Sequence, residues 1–123
     1  WRTVPSSTLA DPKLYCDYIR NSIGEFTVAK GQYVRPRSGW FSDRSVCYLA
    51  AGRPVITQDT GFGNSLPTGE GLFLFATEDE VLMAIDSVAR NYTRHSAAAL
   101  EIAREYFNAE IVLGEVFHKA GLM

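Results

Sequence analysis

The chain has 123 residues, 46% hydrophobic and 21% charged, the composition of a globular protein and a length that suits one domain spanning residues 1–123. Its net charge of −2 argues against nucleic acid or an anionic membrane as the main partner, because such binders carry a concentrated basic surface. No window approaches the roughly 18–20 uninterrupted apolar residues of a membrane span and no signal-peptide pattern opens the chain, so a cytoplasmic location is expected.

Residues 1–10 show no periodicity and read as an extended or linker segment. Asp11-Pro12 then supplies an N-cap and a first-turn proline, which predicts a helix over 12–22 with Leu14, Tyr15, Tyr18 and Ile19 on the core. Glu25 to Ala29 alternates and is rich in strand formers. Lys30 to Ser42 has neither helix nor strand pattern, and a loop of that length in a compact domain is usually functional or disordered. A helix over about 43–51 should present Val46, Leu49 and Ala50 on one face, end in a left-handed cap at Gly52 and give way to a buried strand at 54–58. Residues 59–69 form a second irregular loop and 71–76 a further core strand. Thr77 with Glu80 makes a capping box for a helix reaching about residue 90, with Val81, Leu82, Ile85 and Val88 at helical spacing. A helix follows at about 93–107, and Asn108 caps a last one whose Val112, Leu113, Val116 and Phe117 are expected to face inward. The pattern predicts an α/β layered domain with a small parallel sheet flanked by helices. Cys16 and Cys47 are too few and too far apart for a disulfide framework or zinc knuckle and read as buried thiols.

The stretch from Arg37 to Gly61 carries the chemistry. Lys30, Arg35, Arg37, Arg44 and Arg53 fall within 24 residues, whereas most acids lie from Glu70 onward. A helix opening near Ser42 gathers backbone N–H groups and the positive end of its dipole between Arg37 and Arg44, which suits a phosphate or diphosphate. In an open α/β sheet the loop entering that helix and the loop leaving the strand at 58 share the carboxyl edge, so both can line one site. Trp40 and Phe41 would stack on a nucleotide base or pin the helix start. Arg44 would bind phosphate or pair with a nearby acid, Asp43 suits the first turn, and Arg53 suits a structural ion pair. His95 and His118 lie away from this stretch and read as core or surface residues.

The combination of Glu25-Phe-Thr-Val-Ala-Lys30, Ser38-Gly-Trp-Phe-Ser-Asp-Arg44, Tyr48-Leu-Ala-Ala-Gly-Arg-Pro-Val55, Gln58-Asp-Thr-Gly61 and Thr68-Gly-Glu-Gly-Leu72 resembles the C-terminal, donor-binding half of GT-B glycosyltransferases. The likeness is to the bacterial family 1/4-like proteins that include the spore-maturation type. It implies a Rossmann-like, nucleotide-sugar-binding half of a two-domain protein, expected to be joined to an N-terminal acceptor-binding domain. In that frame Lys30, Arg37, Ser38, Gly39, Trp40, Phe41, Ser42, Asp43 and Arg44 would hold the donor's nucleotide diphosphate. Asp59, Thr60 and Gly61 would approach its sugar. No metal or other cofactor is implied, and the acceptor-activating base would belong to the other domain, so this half alone is expected to bind donor without catalysis. The two glutamates many relatives carry are replaced by Gly39 and Cys47, while Gly39-Trp-Phe-Ser42 loosely resembles the Gly-Trp-x-Ser of nucleotide-sugar glucosyltransferases. A second expectation is a non-catalytic Rossmann-like nucleotide-binding or interaction module.

Overall fold

A computed structural model describes residues 3–123; residues 1 and 2 of the expected extended segment lie outside it. One turn of 3-10 helix at Ser6–Leu9 precedes α1 (Pro12–Arg20), β1 (Glu25–Thr27), a single helical turn α2 (Gly31–Val34), α3 (Asp43–Ala50) and β2 (Val55–Gln58). β3 (Leu72–Phe75), α4 (Glu78–Arg90), α5 (Tyr92–Tyr106) and α6 (Ala109–Lys119) complete the chain. The sheet is three-stranded and wholly parallel, in the order β1-β2-β3. Glu25 pairs with Val55 and Val55 with Leu72, so the three strands start level.

Alternation along β2 and β3 divides the core between two faces. Val55 and Leu72 pack with Ile19, Leu49, Phe62, Ala99 and Ile102 on the side of α1, α3 and α5. Ile56 and Phe75 pack with Ala84 of α4 on the other. Covering both faces is what a parallel sheet requires, and full burial of Leu49, Val55 and Leu72 contributes about 1.5–3 kcal/mol for each side chain.

Local chemistry sets the boundaries. Asp11 accepts from the N–H of Lys13 at 2.7 Å, with Pro12 opening α1. At the end of α3 the N–H groups of Gly52 and Arg53 bond the carbonyls of Leu49 and Tyr48, both at 2.9 Å, with Gly52 at φ +67°. This paired closure is the left-handed cap that the sequence predicts. Thr77 and Glu80 form the capping box of α4, and Asn108 caps α6.

The structure corrects several expected faces. On α1 only Ile19 is buried; Leu14 and Tyr18 are exposed, since this helix packs chiefly against α3 and the 3-10 turn. On α3 the buried residues are Ser45, Tyr48 and Leu49, with Val46 half-buried and Ala50 exposed. On α4 it is Ala84 and Val88 that meet the sheet, while Leu82 and Ile85 are exposed. Val112, Leu113, Val116 and Phe117 of α6 are 40–52% exposed, since this helix meets little beyond the end of α5. Cys16 and Cys47 are exposed as well. The expected strands at 25–29, 54–58 and 71–76 are shorter, and the loop from Lys30 to Ser42 contains the turn α2. Among the described residues no helix is long and apolar enough to cross a membrane.

Two predictions test this framework. A Cβ on Gly71 would stand 2.3 Å from the backbone nitrogen of Ala99, at a φ of +73°, so Gly71→Ala should destabilise the fold by about 3 kcal/mol or more in urea unfolding. Glu80 accepts from the N–H groups of Ala76 and Thr77 at 2.6 and 3.0 Å, and these bonds hold its carboxyl below the ordinary glutamate value. A depressed folded-state value stabilises above the unfolded value and loses that effect as pH falls through the folded one. Glu80→Ala should therefore destabilise at neutral pH and lose its effect in strong acid, whereas Thr77→Ala should cost about 1 kcal/mol at neutral pH.

Candidate functional site

The carboxyl ends of β1 and β2 release two loops, 28–42 and 59–71, and the first of them leads into the amino end of α3. The two loops are hydrogen-bonded to each other. The N–H of Gly39 donates to the carbonyl of Thr60 at 2.8 Å, and the buried Thr60 hydroxyl donates to the carbonyl of Trp40 at 2.6 Å. Gly61 packs its backbone against that of Arg37. Arg37 holds a left-handed φ of +50°, rare for a residue with a side chain, and directs both terminal nitrogens to Asp59, at 3.2 and 3.4 Å. Asp59 also accepts from the N–H of Gly61 at 2.8 Å. Ser38 spans the turn between, donating to the carbonyl of Tyr33 at 3.2 Å and accepting from the N–H of Trp40 at 3.3 Å.

The start of α3 lies at this seam. Ser42 caps it, accepting from the N–H of Arg44 at 3.2 Å, with exposed Asp43 in the first turn. Among the described residues the N–H groups of Phe41, Ser42, Asp43 and Ser45 find no acceptor. A short helix start with free N–H groups favours an anion. Lys30, at the N-cap of α2, is exposed and joins no ion pair among the described residues.

The two adjacent aromatics differ in role. Phe41 packs between Phe62 and Phe107, with ring centroids 5.2 and 5.6 Å away, and belongs to the core. Trp40 is half-buried and stacks on Tyr33 at 4.8 Å and an interplanar angle of 3°.

Arg44 has a carboxylate partner. Its Nε donates to Glu25 and its Nη2 to the Thr27 hydroxyl at 2.9 Å, and the Glu25 side chain is 5% exposed. The bond to Glu25 holds the guanidinium still more firmly protonated than usual. Arg53 is structural, bonding the Tyr92 hydroxyl at 3.0 Å and the carbonyl of Arg20. His95 is buried and accepts from the N–H of Gly71 at 3.2 Å through Nδ1, which leaves its Nε2–H to donate to Ser87 at 3.1 Å. His118 is exposed.

The structure thus brings Arg37, Ser38, Gly39, Trp40, Asp59, Thr60 and Gly61 together beside Ser42 and Asp43. Sequence reasoning missed Tyr33, whose partner Trp40 lies in the same patternless loop, and Glu25, whose partner Arg44 lies 19 positions on. A largely apolar cleft of 530 Å³ between β1 and α4 is lined by Ile23, Phe26, Pro54, Ile85 and Tyr92 at the amino ends of the strands, away from this seam. Among the described residues no three His, Cys, Asp or Glu side chains form a metal-binding group. Comparison of the chain with protein-family models, curated proteins and solved structures gives no match.

The Arg44–Glu25 pair changes what a substitution there should do. Arg44→Ala would strand a buried carboxylate and should destabilise the chain by about 2–3 kcal/mol, less than for a fully buried pair because the arginine is 48% exposed. An Arg44 that served only as a phosphate ligand would be replaced with little loss. Urea unfolding decides, with Glu25→Ala in the Arg44→Ala background restoring part of the loss.

Proposed function

We propose that the seam between the two loops, with the start of α3, binds the diphosphate of a nucleotide sugar. The chain is then the Rossmann-like, donor-binding half of a GT-B glycosyltransferase, which moves the sugar to an acceptor hydroxyl when joined to an N-terminal acceptor-binding domain. The observation that carries this reading is the joining of residues 37–42 to residues 59–61 beside a helix start with free N–H groups. In a parallel sheet that edge is where ligands bind.

Each group has a chemical task. Charge on the leaving diphosphate falls to the free N–H groups, Lys30 and Arg37, in the manner of preorganised donors. Arg37 can meet phosphate oxygens with the same two nitrogens it offers Asp59. The Tyr33–Trp40 stack supplies a flat surface for a base, and Asp59 stands beside the position of the sugar. The base that activates the acceptor is assigned to the other domain.

A second reading, a non-catalytic nucleotide-binding or interaction module, draws on the pairing of Arg37 and Arg44 with carboxylates. Titration of the chain with UDP-, GDP- and ADP-sugars, followed by amide shifts in NMR, separates the two. The donor-site reading expects saturable shifts at residues 37–44 and 59–61; no shift at millimolar nucleotide sinks it. Arg37→Ala should weaken binding by about 1.5–3 kcal/mol, the scale of a charged hydrogen bond, with a smaller loss of stability than Arg44→Ala because Asp59 is less buried than Glu25 and keeps the N–H of Gly61.

A further inference from the structure

Cys16 and Cys47 are the only cysteines of the chain, and neither serves the site described above. The fold packs α1 against α3 and places both thiols on the walls of one 270 Å³ cleft, with Tyr15, Ile19 and Ala50. Both are exposed to solvent. A disulfide needs Cα atoms about 4.4–6.8 Å apart, a separation within reach of residues that line one groove between two packed helices. Burial pushes the Cys47 thiol up, and the charge of Cys16 adds to the effect. Two thiolates supply only half of the tetrahedral set that structural zinc takes, so a covalent link suits the pair better than a metal.

We infer that Cys16 and Cys47 form a modification site, an oxidisable dithiol that closes an intramolecular disulfide between α1 and α3. The oxidant is a peroxide. One thiolate attacks a peroxide oxygen, the O–O bond breaks, and the sulfur becomes a sulfenic acid as the first water leaves. The second thiol then displaces the hydroxyl of that sulfenic acid, the S–S bond forms and a second water leaves. Two sulfurs give up two electrons in all, and the peroxide accepts them. The link encloses β1, α2 and the first turn of α3 in one covalent loop, tying the first site loop to α1.

The test is to treat the reduced chain with hydrogen peroxide and map its peptides without reduction. The expected product is lighter by two hydrogens, monomeric on a non-reducing gel and linked between Cys16 and Cys47, with a thermal midpoint several degrees higher. Its rate of formation should rise with pH, because the thiolate is the reacting form. Cys16→Ser and Cys47→Ser, both at exposed positions, should fold as the parent by circular dichroism and lose both the link and the thermal shift. The inference is overturned if the thiols of the parent oxidise separately to sulfinic acids, or if cross-links form only between chains. Mapping of the parent decides this even where a serine variant folds poorly.

Discussion

Val55, Ile56 and Thr57 bury their side chains on alternate faces of β2 while its backbone pairs with β1 on one edge and β3 on the other. A strand enclosed on four sides leaves its neighbours little choice. Both pair in parallel, so each connection must return the chain to the amino end of the sheet, and α3 does so on the way from β1 to β2. A helix that makes this return runs opposite to the strands, and its amino end reaches the carboxyl edge. The convergence of the α3 start, the loop after β1 and the loop after β2 is thus a consequence of the parallel sheet.

Much of this was legible in the sequence because it depends on local chemistry. Asp11-Pro12, Thr77 with Glu80, Gly52-Arg-Pro54 and Asn108 each satisfy backbone groups near themselves, and each marks its boundary to within a residue or two. The seam of the two loops was readable from the αβ order, since both must lie at one edge. Burial was less legible. Periodicity tells which face of a helix is apolar but not whether anything covers it, so Leu14, Leu82, Ile85 and the stripe of α6 were placed inside and stand outside. The exposed cysteines show the same gap: their type favours burial, whereas their position on the flanks of α1 and α3 decides otherwise. Glu25 lies 19 positions before Arg44, beyond any local pattern.

The uncovered apolar residues are not scattered. Ile23 and Phe26, beside and in the edge strand, share a cleft with Ile85 of α4, and Val112, Leu113, Val116 and Phe117 belong to one helix. Phe26 shows the cause: it stacks on Phe75 at 5.5 Å across the α4 face of the sheet, yet it remains 58% exposed because β1 has a neighbour on one side only. The second core cluster is correspondingly small, with Ile56, Phe75 and Ala84 as its buried members. Packing is therefore uneven, dense around Leu49, Val55 and Leu72 and thin on the face of α4 toward β1.

The two arginines beside the helix start are separated by the environment of their partners. Arg44 neutralises a carboxylate that is 5% exposed and has one oxygen buried without any other bond. Moving that guanidinium to a phosphate would leave Glu25 charged and desolvated, a penalty of several kcal/mol that exceeds the roughly 1.5–3 kcal/mol of a charged hydrogen bond. Arg37 is 58% exposed and Asp59 18%, so this pair is less desolvated than Arg44 with Glu25 and is the weaker constraint of the two. Asp59 moreover keeps the N–H of Gly61 when the arginine departs. Drawing Arg37 away from Asp59 thus costs less than drawing Arg44 away from Glu25, and Arg44 holds the first turn of α3 against β1.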